Sequence, residues 1–185
     1  MSVVSSEEQE VLERFQKEIL LKSKWVYDSI RDGYQLIEES SNPKNDIASE
    51  EIIRHFVSGI TYAMSIVRLL NVGGARDKRN AQRRVNLIKT KWPDLPEAPQ
   101  GLKKVRDSLE HFEERLDTWA FTSSSKSIVD LNVGINTAAL APFNINETEL
   151  LRNIDDKGNF IFWNEKVSLK SVMEWVQELS EKIND

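Results

Sequence analysis

A mainly helical protein, an up-and-down bundle closed by a small strand-bearing element, is the fold class this sequence predicts. Three observations predict it. Apolar residues recur at spacings of three and four through four long segments of residues 1–121, the pattern of helices with one buried stripe. The polar connection Thr122-Ser-Ser-Ser-Lys-Ser127 then interrupts that pattern. Beyond it the period shortens to two before one last helical segment. The expected organisation is a bundle over residues 1–121 and a small strand-containing element over 122–185, packed on the bundle.

The first helix starts from Ser5 or Ser6, either of which can cap it, with Glu7 and Glu8 placed well for the helix dipole. Its stripe is Val11, Phe15, Ile19, Val26, Ile30, Tyr34 and Ile37, with a kink expected near Gly33. The loop Ser40-Ser-Asn-Pro-Lys-Asn-Asp46 follows. Ser49 is the expected cap of the second helix. Its apolar residues, Ile52 to Leu70, cover so wide an arc that it should be the central helix. Gly73-Gly74 is expected to end it. Asp77 can cap a third helix with the narrow stripe Ala81, Val85, Ile88 and Trp92, stopped by Pro93, Pro96 and Pro99. Residues 102–120 form the fourth helix, with Leu102, Val105, Leu109, Phe112, Leu116 and Trp119 as its stripe.

In the remaining third, Val129, Leu131, Val133 and Ile135 alternate with polar or small residues, as a strand does. Asp155-Asp-Lys-Gly-Asn159 reads as a hairpin turn leading into the aromatic strand Phe160-Ile-Phe-Trp163. Ser168 caps a closing helix with Val172, Trp175, Val176, Leu179 and Ile183 on one face. Trp163 and Trp175 are read as core.

Bulk properties narrow the function. The chain has 185 residues, a net charge of −5 and a pI near 5.3, so any nucleic-acid surface must be a local patch. Absence of cysteine removes disulfides, thiol catalysis and cysteine-bound zinc, and two histidines argue against a histidine-rich metal site. No cofactor is expected. The N-terminal residues lack the basic start and apolar core of a signal peptide, and no apolar run approaches a membrane span. The expected location is the cytoplasm, away from membranes, where the Asn146-Glu-Thr148 sequon has no meaning. Arg76, Lys78, Arg79, Arg83 and Arg84 form a basic run that is either an ordinary charged helix face or a set of RNA phosphate contacts. His55, beside Phe56, is read as a buried or partly buried structural histidine.

The fourth helix carries the candidate chemistry. A helix turns roughly 100° per residue, which puts Arg106 on the flank of the stripe and Asp107, His111 and Glu114 near the opposite side. Asp107 stands four residues before His111, where it can orient the imidazole. By itself such a charged outer face is a solvated helix surface, worth about 0.3–0.5 kcal/mol per ion pair.

Arg106-Asp-Ser-Leu-Glu-His111 resembles the motif of HEPN domains, an arginine and a histidine separated by four to six residues, often with a polar residue after the arginine. The wider string Val105-Arg-Asp-Ser-Leu-Glu-His-Phe-Glu-Glu-Arg-Leu-Asp117 is similar to the motif helix of bacterial HEPN-like proteins. The likeness covers about a dozen residues, and the bundle it implies covers only residues 1–121. Asp107 stands where many such domains have asparagine, which adds negative charge beside the phosphate site. The resemblance implies a metal-independent ribonuclease, homodimeric through the 102–120 helix, with two arginines and two histidines in one cleft. It assigns His111 to proton transfer at the ribose 2′-hydroxyl or the leaving oxygen, and Arg106 to the charge on the phosphate. Asp107 would hold the imidazole and Glu110 would extend the hydrogen-bond network. A toxin or defence effector held by an antitoxin or other regulatory protein is the biological setting it suggests. The alternative is a non-catalytic HEPN-like protein that binds nucleotide or RNA, or serves as a scaffold.

Overall fold

The computed structural model describes residues 5–124, 126–143, 145 and 149–185. The sequon at 146–148 and part of the polar connection lie outside them. The protein is mainly helical, with a small four-stranded sheet and a closing C-terminal helix, as its patterning predicts.

Helix α1 spans Ser6–Ser40 and opens with a capping box, in which Ser5 accepts from the Glu8 N–H and the Glu8 carboxylate accepts from the Ser5 N–H. It runs through Gly33 as one helix. Gly33 serves close packing instead: a Cβ there would stand 2.8 Å from the Phe56 ring. Leu12, Ile19, Val26 and Ile30 are its buried residues, whereas Val11 is 43% exposed. Helix α2, Ser49–Leu70, packs along α1 and is apolar over a wide arc from Ile52 to Ile66. Its cap position is Ala48, with no side-chain bond, and Ser49 is already its first residue. Helix α3, Lys78–Lys91, is capped by Asp77, which accepts from the Asn80 N–H, and buries Ala81, Val85 and Ile88.

The expected fourth helix is two helices, α4 at Leu102–Glu110 and α5 at Phe112–Thr122. His111 separates them, with φ −106° and ψ 37°. The residues on either side are held by different parts of the molecule. Ser108 is fully buried and turns its hydroxyl back onto the Lys104 carbonyl, a bond that bends helices. Phe112 then leans on the sheet, 6.1 Å from the Phe162 ring and 5.9 Å beneath the Arg152 guanidinium. Leu102 and Val105 are buried as predicted, but α5 has no fully buried residue.

The sheet runs β1 (Val133–Ile135), β2 (Asn153–Asp155), β3 (Asn159–Phe162) and β4 (Glu165–Ser168). β1 pairs parallel with β2, and the other pairs are antiparallel. Only the last part of the alternating 129–135 stretch is strand; Val129 contributes an isolated bridge to Leu150. A 3₁₀ helix, Thr137–Phe143, lies between β1 and β2. The turn at Asp155–Asn159 forms as expected, with Asp155 accepting from the N–H groups of Lys157 and Asn159. Helix α6, Leu169–Asn184, is capped by Ser168 and lies on α1, where Gln16 donates to the Ile183 carbonyl at 2.9 Å.

One apolar cluster runs through both parts of the chain, from Leu12, Ile19 and Phe56 to Phe160, Trp163, Val172 and Trp175. Each such side chain contributes about 1.5–3 kcal/mol on burial. Trp163 and Trp175 are core, and the Trp175 indole N–H donates to the Pro96 carbonyl at 3.1 Å. The sheet thereby becomes a wall of the molecule that holds α4 from one side, while α2 holds it from the other.

Candidate functional site

The break at His111 decides how the motif residues are presented. Arg106 lies on the regular part of α4 and is mostly packed, with 22% of its side chain exposed. Its Nη1 donates to Asp107 at 2.8 Å, and its Nη2 is bonded to Glu110 one turn on. Its buried Nε has no partner among the described residues. The other Glu110 oxygen is bonded to Arg68, from the last turn of α2. Glu110 therefore joins α2 to α4 through two guanidinium groups. Asp107 and Glu110 are thus bonded to arginines, and no bond joins either side chain to His111 among the described residues.

His111 is at the surface, its side chain 61% exposed. Its Nδ1 lies 3.5 Å from Glu114, and Asp107, the residue expected to orient it, is turned to Arg106. The residues Arg106, Asp107 and Glu110 are thus brought together, and His111 stands beyond them at the head of α5. No hydrogen bond or ion pair joins Arg106 to His111 within the described residues.

The basic run divides in two. Arg76, Lys78, Arg79 and Arg83 are exposed and form no ion pair among the described residues. Arg84 is structural: its Nε donates to Leu69 at 2.9 Å, and its Nη2 to the carbonyls of Arg68 at 3.0 Å and Asn71 at 2.9 Å. These are the unpaired carbonyls at the end of α2. Arg84 therefore finishes the helix that Gly73-Gly74 was expected to stop. Gly74, at φ +77°, shapes the turn that follows. His55 is partly buried on α2, as expected.

A cleft of about 790 Å³ opens beside Arg106. Lys22 of α1, Arg68 of α2, Arg84 of α3, and Lys103 and Arg106 of α4 line it with the Gly73-Gly74 turn. Sequence reasoning missed Lys22, Arg68 and Lys103. They are far apart in the chain and converge only through helix packing; the single local signal is the basic residue in the last turn of α2. Among the described residues no cluster of histidine, aspartate and glutamate could hold a metal ion, and no helix is long and apolar enough to cross a membrane.

Compared with protein-family models, with curated proteins and with solved structures, the chain matches none.

Proposed function

We propose that this chain is a metal-independent endoribonuclease of the HEPN type, acting as a homodimer with a composite arginine and histidine cleft. The observation that carries the reading is the motif itself, Arg106-Asp-Ser-Leu-Glu-His111, with its histidine exposed at a helix break and its arginine in a cationic cleft. Two further features support it. Helix α5 has no fully buried residue, and Phe121 at its end is 85% exposed, so a second copy could cover this face. Since His111 and Arg106 do not meet within one chain, a partner's helix is the natural source of the missing half.

In the reaction, the imidazole of one His111 takes the proton of the ribose 2′-hydroxyl. The 2′-oxygen attacks phosphorus, and the bond to the 5′-oxygen breaks. The partner's His111, as imidazolium, returns a proton to that leaving oxygen. Arg106 neutralises the charge that grows on the phosphate oxygens. The products are a 2′,3′-cyclic phosphate and a 5′-hydroxyl. DNA, lacking the nucleophile, is not cut. A regulatory protein covering α5 would hold such an enzyme inactive, the arrangement of a toxin with its antitoxin.

One observation favours a second reading. Arg106 is already paired with Asp107 and Glu110 inside the chain, as a structural arginine would be. In that case the protein is a non-catalytic RNA-binding or scaffold protein. Incubating purified protein with single-stranded RNA in EDTA separates the two. The ribonuclease reading expects cleavage that His111→Ala and Arg106→Ala each reduce by about 10² or more. Intact RNA, or cleavage that both variants leave at the parent's rate, would leave the binding reading.

A further inference from the structure

We propose that the cleft between α1, the end of α2, the Gly73-Gly74 turn and α4 is a phosphate-binding site. Arg68, Lys103 and Arg106 take the phosphate oxygens, and Glu110 is the internal competitor that phosphate displaces. The inference does not depend on cleavage, and it shares Arg106 and Glu110 with the site of the proposed ribonuclease.

The charge of the lining is the first argument. Five cations, Lys22, Arg68, Arg84, Lys103 and Arg106, come from four helices, and no carboxylate side chain lines the cleft with them. Glu18, Asp107 and Glu110 are paired with three of these cations from outside the lining, so the cleft keeps an excess of positive charge in a protein of net charge −5.

Helix polarity, which should oppose an anion here, has been cancelled. The C-terminal end of α2 faces this region, and its carbonyls carry partial negative charge. Arg84 covers three of them with one guanidinium. Of the other four, Lys103 carries no ion pair among the described residues, Arg68 is held by Glu110, Arg106 by Glu110 and Asp107, and Lys22 by Glu18 at the margin.

Glu110 identifies the chemistry. One of its oxygens meets Arg68 and the other meets Arg106, so two guanidinium groups already converge on a single oxyanion. A phosphate offers them the same contacts with more oxygens and, as a monoester, more charge. Arg68 and Glu110 are 52% and 41% exposed, and ion pairs so exposed are worth about 0–1 kcal/mol, which makes the carboxylate easy to displace. The mouth is open as well: nothing lies within 4 Å of where a Cβ would stand on Gly73 or Gly74.

Phosphate could arrive free, as a small ester, or within an RNA backbone. Calorimetric titration distinguishes these sources. The full-length His111→Ala protein, which cannot cleave by the proposed route, is titrated at low ionic strength with inorganic phosphate and with short single-stranded RNA. Saturable one-site binding of at least one probe is expected. Binding of both marks a site open to free phosphate; binding of RNA alone marks a backbone site. Arg68→Gln should weaken binding about tenfold, the loss of one charge-assisted hydrogen bond. Lys103→Gln, which breaks no ion pair among the described residues, should weaken it in the same direction, and Lys170→Gln on α6 should not change it. Glu110→Gln should tighten binding several-fold by removing the competitor. The proposal is overturned if neither probe saturates, if Arg68→Gln and Lys103→Gln bind as the parent does, or if Glu110→Gln weakens binding as Arg68→Gln does. Because cleavage is absent throughout, failure here is separate from failure of the ribonuclease reading.

Discussion

Glu110 stands one turn beyond Arg106 on α4, and its carboxylate bridges Arg106 to Arg68 on α2. The motif arginine is therefore fixed by its own helix and by a neighbouring one before any ligand arrives. His111, the next residue in the chain after Glu110, has none of that support; among the described residues its one ion-pair contact is with Glu114. The two halves of the motif differ in how they are held. One is held in the wall of a cleft, and the other stands at a joint between two helices.

Arg84 should prove a stability residue. Replacing it with glutamine removes charge-assisted bonds to the carbonyls of Arg68, Leu69 and Asn71. We expect a loss of about 1–3 kcal/mol in urea unfolding. Arg79→Gln and Arg83→Gln, which alter exposed residues on the same helix, should stay within about 0.5 kcal/mol of the parent. Equal effects at the three positions would remove the distinction.

Gly101 should tolerate no side chain. It precedes α4 at φ +89°, and a Cβ there would lie 2.0 Å from the Lys166 carbonyl oxygen of β4. Gly101→Ala combines left-handed strain with a backbone clash and should cost about 3 kcal/mol. The natural comparison is Gly73→Ala, where nothing stands in the way. A thermal melt in which both variants behave like the parent would contradict the docking of α4 on the sheet.

Tyr34 of α1 ties alkaline stability to its packing beside the Asp155–Asn159 turn. Burial, and then the nearby Asp155 carboxylate, raise the phenol above its ordinary value of 10.0. The folded chain thus holds this proton more tightly than the unfolded chain does. Stability from this group is intact below pH 10.0 and falls as pH climbs past it. Tyr34→Phe should flatten that part of the decline, measured as the difference between the two proteins' unfolding free energies across the alkaline range. An unchanged difference would mean the hydroxyl is solvated.

How much of this was legible in the sequence varies with the range of the interaction responsible. Ser5, Asp77 and Ser168 cap their helices as read, because a cap is a bond to a residue three positions away. The wide apolar arc of α2 foretold its central place for a similar reason. The break at His111 was not legible. The stripe from Leu102 to Trp119 keeps helical spacing across it, while just past the break Phe112 meets residues some forty to fifty positions away, Arg152 and Phe162. β4 was missed because Glu165-Lys-Val-Ser168 is short and polar, and it is strand only by pairing with β3. Around the candidate site, Arg106, Asp107 and Glu110 were found through their motif. The partner that fixes them, Arg68, lies 42 positions from Glu110 and is joined to it by helix packing alone. The role of Arg84 was hidden likewise, since a basic run says nothing of which member turns back onto a helix end.

The central claim is that Arg106 of one copy works with His111 of another, and the most direct measurement is complementation. Arg106→Ala and His111→Ala proteins are assayed on single-stranded RNA in EDTA, singly and after mixing under conditions shown to exchange subunits. The account predicts that each is inert alone and that the mixture regains a minor part of the parent's activity, because the mixed dimer restores one arginine and one of the two histidines to the shared cleft, leaving water to serve for the other. A mixture that stays inert after verified exchange, or either variant cutting at the parent's rate alone, would contradict it.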